Sequence, residues 1–177
     1  MIIKNSATRF GLIAILLHWI IATLIIGLLA LGLYMVPMPF SLEKLKFYGW
    51  HKEFGLLVLF LAVFRLIWRL SNPLPELALP WLEKLAARSM HWAFYIFMFA
   101  MPITGWLITS SAGLPASFFG LFTLPNLVAT DEHQRIVFES IHQWLGYALI
   151  AAICLHSAAA LKHHFINKDD ILRRMLS

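Results

Sequence analysis

The sequence predicts an all-α fold, an antiparallel transmembrane four-helix bundle, on three observations. Sixty per cent of its 177 residues are hydrophobic and only 13% are charged, with a mean hydropathy of +0.77, far too apolar for a soluble domain. Four apolar runs, at roughly 10–35, 49–70, 90–110 and 141–164, each approach the about 20 residues that cross about 30 Å of hydrocarbon. The Lys and Arg residues collect at alternate connections. The expectation is a single membrane domain over 1–177.

The first run follows Lys4 and Arg9 as a signal peptide would, yet it is too long and lacks a small-residue cleavage site, so it reads as a retained signal-anchor helix. "VPMPFSLEKLK" separates it from the second run, which Pro73, Pro75 and Pro80 bring to a stop. After the third run comes the longest connection, whose apolar "FFGLFTLP" suggests a segment lying on the outer bilayer surface over the bundle. The fourth run closes the bundle. No internal repeat or low-complexity tract interrupts this plan.

Direction follows from where positive charge is retained. Lys4, Arg9, Arg65, Arg69, Lys84, Arg88, Lys162, Lys168, Arg173 and Arg174 fall on one side; only Lys44, Lys46, Lys52 and Arg135 fall on the other, among Glu43, Glu53, Asp131, Glu132 and Glu139. Both termini are therefore expected in the cytoplasm, in a multi-pass protein of a bacterial inner membrane. A net charge of +5 scattered at the ends of apolar runs fits topology and the lipid bilayer, and predicts no nucleic-acid partner. The single Cys154 excludes an intramolecular disulfide and reads as a small buried hydrophobe.

Ionisable groups within spans are the functional candidates, because an unpaired polar group in hydrocarbon is strongly disfavoured. Among eight histidines, His142 and His156 stand fourteen residues apart in the last run. That spacing is nearly four helical turns, which puts both on one face about 21 Å apart along the axis. At the outer level the in-span partner for His142 is His51, with His133 a weaker rival in the loop. At the inner level His18 and His91 both qualify for His156.

Small neighbours separate them, since a flat macrocycle beside a helix needs room one turn from its ligand. His51 is followed by Gly55 and His142 by Gly146; Ala14 and Ala22 flank His18, and Ala152 and Ala160 flank His156. His91 has Phe94 and Tyr95 one turn on, which excludes it as a ligand on this reading. The pattern predicts two bis-histidine b-type haems, His51 with His142 and His18 with His156 as iron ligands. Zinc would need four converging ligands, whereas these lie at two depths; proton relay or helix-to-helix hydrogen bonding stays open as an alternative use. Trp19, Trp50, Trp92 and Trp144 read as belt and packing residues. Arg9, Arg65, Arg69 and Lys52 are orientation charges that could also reach haem propionates.

The motifs "LHW" in the first run, "GWHKEFG" opening the second and "IHQWLGYALIAAICLHSAAALKHHFINKDDILRRM" at the end resemble the prokaryotic cytochrome b561 family along essentially the whole chain. That resemblance implies a four-helix bundle in the inner membrane with two haem b groups on His18, His51, His142 and His156. It also implies electron transfer between a periplasmic donor, superoxide in some members, and membrane ubiquinone. A haem-bearing subunit serving a separate redox partner is the competing implication. Four outer basic residues against five acidic ones make no positive funnel for an anion such as superoxide, although Lys44, Lys46 and Lys52 could form a local patch. The "KHH" at 162–164 marks the inner membrane exit, where a quinone head or proton path would also be useful.

Overall fold

A computed structural model describes residues 3–76 and 79–176. Four long helices dominate it: α1 (Leu12–Met35), α2 (Leu42–Ser71), α3 (Trp81–Ser111) and α4 (Glu132–Lys162). Each is long and apolar enough to cross a membrane. At 1.5 Å per residue they run from about 36 Å to about 47 Å, longer than the about 30 Å hydrocarbon core, so their ends enter the headgroup layers.

This excess length explains why α2 and α4 begin before their apolar runs. Ser41 caps α2 by accepting from the Lys44 amide at 3.1 Å, and Asp131 caps α4 by accepting from Gln134 at 2.9 Å. The first two turns carry the charged residues Glu43, Lys44 and Lys46 on α2 and Glu132 and Arg135 on α4. Lys44 in turn donates through Nζ to the carbonyls of Val36 at 3.1 Å and Met38 at 2.6 Å, satisfying the free C-terminal end of α1. Its charge therefore serves the α1–α2 turn rather than an independent outer patch.

The helices pack in chain order, α1 on α2, α2 on α3 and α3 on α4. A small core of Ile21, Ala62, Tyr95 and Met98 ties the first three together. α4 packs on α3 and keeps its distance from the other two helices: of its described residues only Leu149 is buried, and neither α1 nor α2 makes comparably close backbone contact with it. Imidazole side chains face each other across this gap.

The long third connection, expected to lie over the bundle, contains a hairpin, β1 (Ala116–Phe118) paired antiparallel with β2 (Phe122–Leu124). Its three-residue loop, Phe119 to Leu121, has Phe119 and Gly120 at φ of 49° and 70°, and the Leu121 amide donates to the Phe118 carbonyl at 2.9 Å to close the turn. The apolar run is used for side-to-side packing: Phe118 meets Phe60 of α2 with ring centroids 5.1 Å apart, and Phe119 meets Phe54 at 5.3 Å. The buried Ser110 accepts from the Leu127 amide at 3.1 Å, and the Ser111 carbonyl accepts from Asp131 at 2.9 Å. The connection is thereby fastened to the C-terminal end of α3.

At the opposite end three segments knot together. Asn5 donates to the Pro73 carbonyl at 3.0 Å and Glu76 to the Ala7 carbonyl at 2.9 Å. From the tail, Arg174 donates to the Glu76 carbonyl at 2.8 Å, and Met175 accepts from the Trp19 indole at 2.7 Å. The N-terminal segment, the α2–α3 connection and the C-terminal tail thus share one end of the bundle.

Candidate functional site

Two imidazole clusters lie at different levels of the bundle, one near each end of α4. In the upper cluster His51 of α2 faces His142 of α4, with ring centroids 6.1 Å apart and planes at 72°. α1 and α3 complete its walls with glycines. A Cβ on Gly32 would lie 3.5 Å from His51 Cε1, and one on Gly105 would lie 3.6 Å from His142 Cε1. A methyl at either position would thus rest in van der Waals contact with a ring edge. Around Gly55 the added carbon would meet open space, as expected for a small residue one turn from His51.

The two upper rings differ in their hydrogen bonding. His142 Nδ1 lies 2.9 Å from Thr104 Oγ1. His51 Nδ1 is buried and has no partner among the described residues.

In the lower cluster His156 of α4 lies 6.4 Å from His18 of α1, with planes at 65°. His91 of α3 is equally close to it, at 6.2 Å and 65°, and Phe94 stands 5.2 Å from the same ring. Phe94, the residue that argued against His91 on sequence, packs against His156 instead. Separation alone therefore does not choose between His18 and His91. His18 Nδ1 lies 3.3 Å from the Arg65 guanidinium, which can only donate. In this arrangement Nδ1 accepts, and the neutral His18 ring carries its proton on Nε2.

Arg69 lies over the faces of Trp92 and Tyr95, 5.4 Å and 5.2 Å from their centroids. This is a cation–π seat at the lower level. Beyond the lower cluster the helix widens into a π-helical turn, His163–Asn167. There His163 Nδ1 meets Asp169 at 2.6 Å and Asn167 at 3.1 Å, while His164 Nδ1 is buried without a partner among the described residues.

The ring separations can be tested against an iron held between two imidazoles. With each metal–nitrogen bond about 2 Å and about 1.2 Å from nitrogen to ring centre, the centroids need to be about 6.4 Å apart. The values of 6.1 Å and 6.4 Å match that requirement. Direct imidazole–imidazole hydrogen bonds are absent from both pairs among the described residues. At the upper level the ring contact of His142 is made through Nδ1; at the lower level the Arg65 contact occupies Nδ1 of His18 and would have to be released for Nε2 of that ring to bind a metal.

Comparison with known proteins gives this geometry a context. The family described as prokaryotic cytochrome b561 matches residues 9–177. The chain belongs to that family. Among its relatives, Cytochrome b561 homolog 2 of Escherichia coli strain K12 is 37% identical over 97% of this chain and 93% of its own length. Cytochrome b561 homolog 1 of the same strain is 34% identical over 95% and 97%. The protein named "Probable superoxide oxidase CybB" of Yersinia pestis is 30% identical over 71% of this chain and 72% of its own. As a cytochrome b561 the chain is a multi-pass membrane protein of a haem-carrying electron-transport family.

Of the histidines singled out from sequence, the fold places His51 beside His142 and His18 beside His156, and it places the excluded His91 beside His156 as well. Sequence reasoning missed Thr104, Gly32 and Gly105, which contact the upper rings. Thr104 and Gly105 are adjacent in "PITGW", a signal readable only once α3 is known to face His142.

Proposed function

We propose that this cytochrome b561 carries electrons across the membrane between a periplasmic donor and ubiquinone through two haem b groups. His51 and His142 are the outer iron ligands, and His18 and His156 the inner ones. Both termini lie on the cytoplasmic side, with ten Lys and Arg there against four outside.

One observation carries the reading: two cross-helix imidazole pairs, 6.1 Å and 6.4 Å between centroids, recur at two levels with one member of each on α4. Proton relay would favour imidazoles in hydrogen-bond contact, and these are held too far apart for it. Bound haem supplies one-electron chemistry with little change of shape. The chain's own part is to present Nε2 from fixed rings, to seal the rings from water with apolar helices, and to hold the two levels about 21 Å apart.

The printed name of the Yersinia relative makes superoxide a candidate donor. The outer face argues for testing this against a protein donor, because four basic groups there oppose five acidic ones, and Arg135 is paired with both Glu132 and Glu139. An anion gains little steering from such a surface, whereas a basic redox partner would.

Stopped-flow mixing of the purified protein with superoxide, and separately with ubiquinol, tests the reading. Haem reduction by superoxide within the mixing experiment supports the oxidase activity. Reduction by ubiquinol alone supports quinone exchange with a different outer partner. A chain that purifies without a Soret band, or whose haem neither reagent reduces, overturns the proposal.

A further inference from the structure

The upper pair is asymmetric in a way that assigns a role to Thr104. Its hydroxyl carries one proton. Two carbonyls one turn back compete for that proton, Ala100 O at 2.8 Å and Met101 O at 2.9 Å. The hydroxyl proton therefore points along α3, and the side of the oxygen facing α4 presents a lone pair. His142 Nδ1 lies 2.9 Å from that oxygen. With the hydroxyl proton so engaged, Nδ1–H donates toward α3, where the Thr104 oxygen and the Met101 carbonyl are its acceptors.

Fixing the proton on Nδ1 leaves Nε2 with its lone pair, the form a neutral metal-binding imidazole needs. Gly105, the next residue, lies against the ring edge, where a Cβ would touch Cε1 at 3.6 Å. His51 has no such acceptor: its Nδ1 is buried and unpartnered among the described residues. His18 has the opposite kind of neighbour, a guanidinium donor at 3.3 Å. Among the described residues, His142 is the member of the upper pair set against neutral acceptors, the Thr104 hydroxyl and the Met101 carbonyl.

We infer that Thr104 is a positioning residue for His142, holding its ring in the Nδ1–H form and making Nε2 the more electron-rich ligand of the outer site. This rests on the reading of His142 as an iron ligand. A ligand whose other N–H is hydrogen-bonded is more basic and favours the oxidised metal. The hydroxyl should therefore lower the reduction potential of the outer haem relative to a site without it.

The test is a redox titration of the full-length haem-loaded protein carrying Thr104→Val, Thr104→Ala or Thr104→Ser, following both haems. Val keeps the shape and loses the acceptor, Ala loses the acceptor without β-branching, and Ser keeps it. The expected result is a raised outer midpoint potential, or selective loss of the outer haem, in Val and Ala, with Ser near the parent and the inner haem unmoved in all three. An outer potential unchanged in Val and Ala, or moved as far by Ser as by Val, overturns the inference. The two levels of the argument separate through His142→Ala. If that variant keeps both haems, the ligand reading fails. If it loses the outer haem while Thr104→Val titrates like the parent, only the role of Thr104 fails.

Discussion

Replacing His142 by alanine removes one imidazole from the upper pair and nothing from the lower one. His51 is its facing ring, 6.1 Å away, whereas His156 lies fourteen residues further along the same helix, a rise of about 21 Å. Sites more than about 10 Å apart without shared partners respond independently. The haem-to-protein ratio should therefore fall by about half, from about two to about one per chain, as two independent sites require. The remaining reduced-minus-oxidised spectrum should be that of the inner site alone. A His142→Ala/His156→Ala double variant should hold essentially none. Pyridine haemochromogen quantification against protein concentration reads the ratio directly. A single variant that stays at the parental ratio, or that empties both sites while remaining folded by circular dichroism, would refute the reasoning from two independent clusters.

At the inner site, His18→Ala should abolish the inner haem signal while His91→Ala retains it; the reverse outcome in the same spectra would move the ligand to α3, whose His91 lies equally close to His156. Gly113 adopts φ +71°, and an added Cβ would lie 2.8 Å from Thr130 Oγ1, so Gly113→Ala should cost about 1–3 kcal/mol through left-handed strain and crowding, read as a lowered thermal midpoint in detergent. The Arg174 hydrogen bond holds the Asp170 carboxyl below the usual carboxylate range. A lowered folded pKa gives stabilisation that is full above the ordinary value of about 3.9 and lost as pH falls through the folded value. Tail docking, followed by proteolytic release of the C-terminus, should thus be flat from about pH 5 to about pH 8 and weaken only in stronger acid; release that rises within the neutral range would contradict it.

The bundle and its paired histidines were legible because both depend on simple periodicities. Apolar length reports membrane crossing, and a spacing of fourteen reports a shared helix face. The same hydropathy signal understated the helices, because it measures depth in the bilayer and not hydrogen bonding. α4 begins at Glu132, nine residues before its apolar run, and its true start is marked by the Asp131 cap. The hairpin escaped notice because an aromatic-rich loop is compatible with either lipid contact or packing on α2. Thr104 escaped for a different reason: a mid-helix threonine ordinarily bonds back to its own helix, and this one does so while also accepting from another. Such a dual role depends on the rotation of α3 relative to α4, which one sequence does not encode in any local pattern. The competition between His18 and His91 likewise lies in the convergence of three helices.

Because α4 supplies a ring to both levels, the chain between His142 and His156 admits substitution away from Gly146, Leu149 and Ala152 but is closed to changes of length. A single residue inserted there would turn everything beyond it by about 100° and lift it by about 1.5 Å, carrying His156 away from α1 while leaving His142 in place. Compensation elsewhere is unavailable, since no other helix could follow that rotation without breaking its own packing. The history of this segment should therefore be written in side chains alone, with insertions and deletions confined to the hairpin connection and the inner tail.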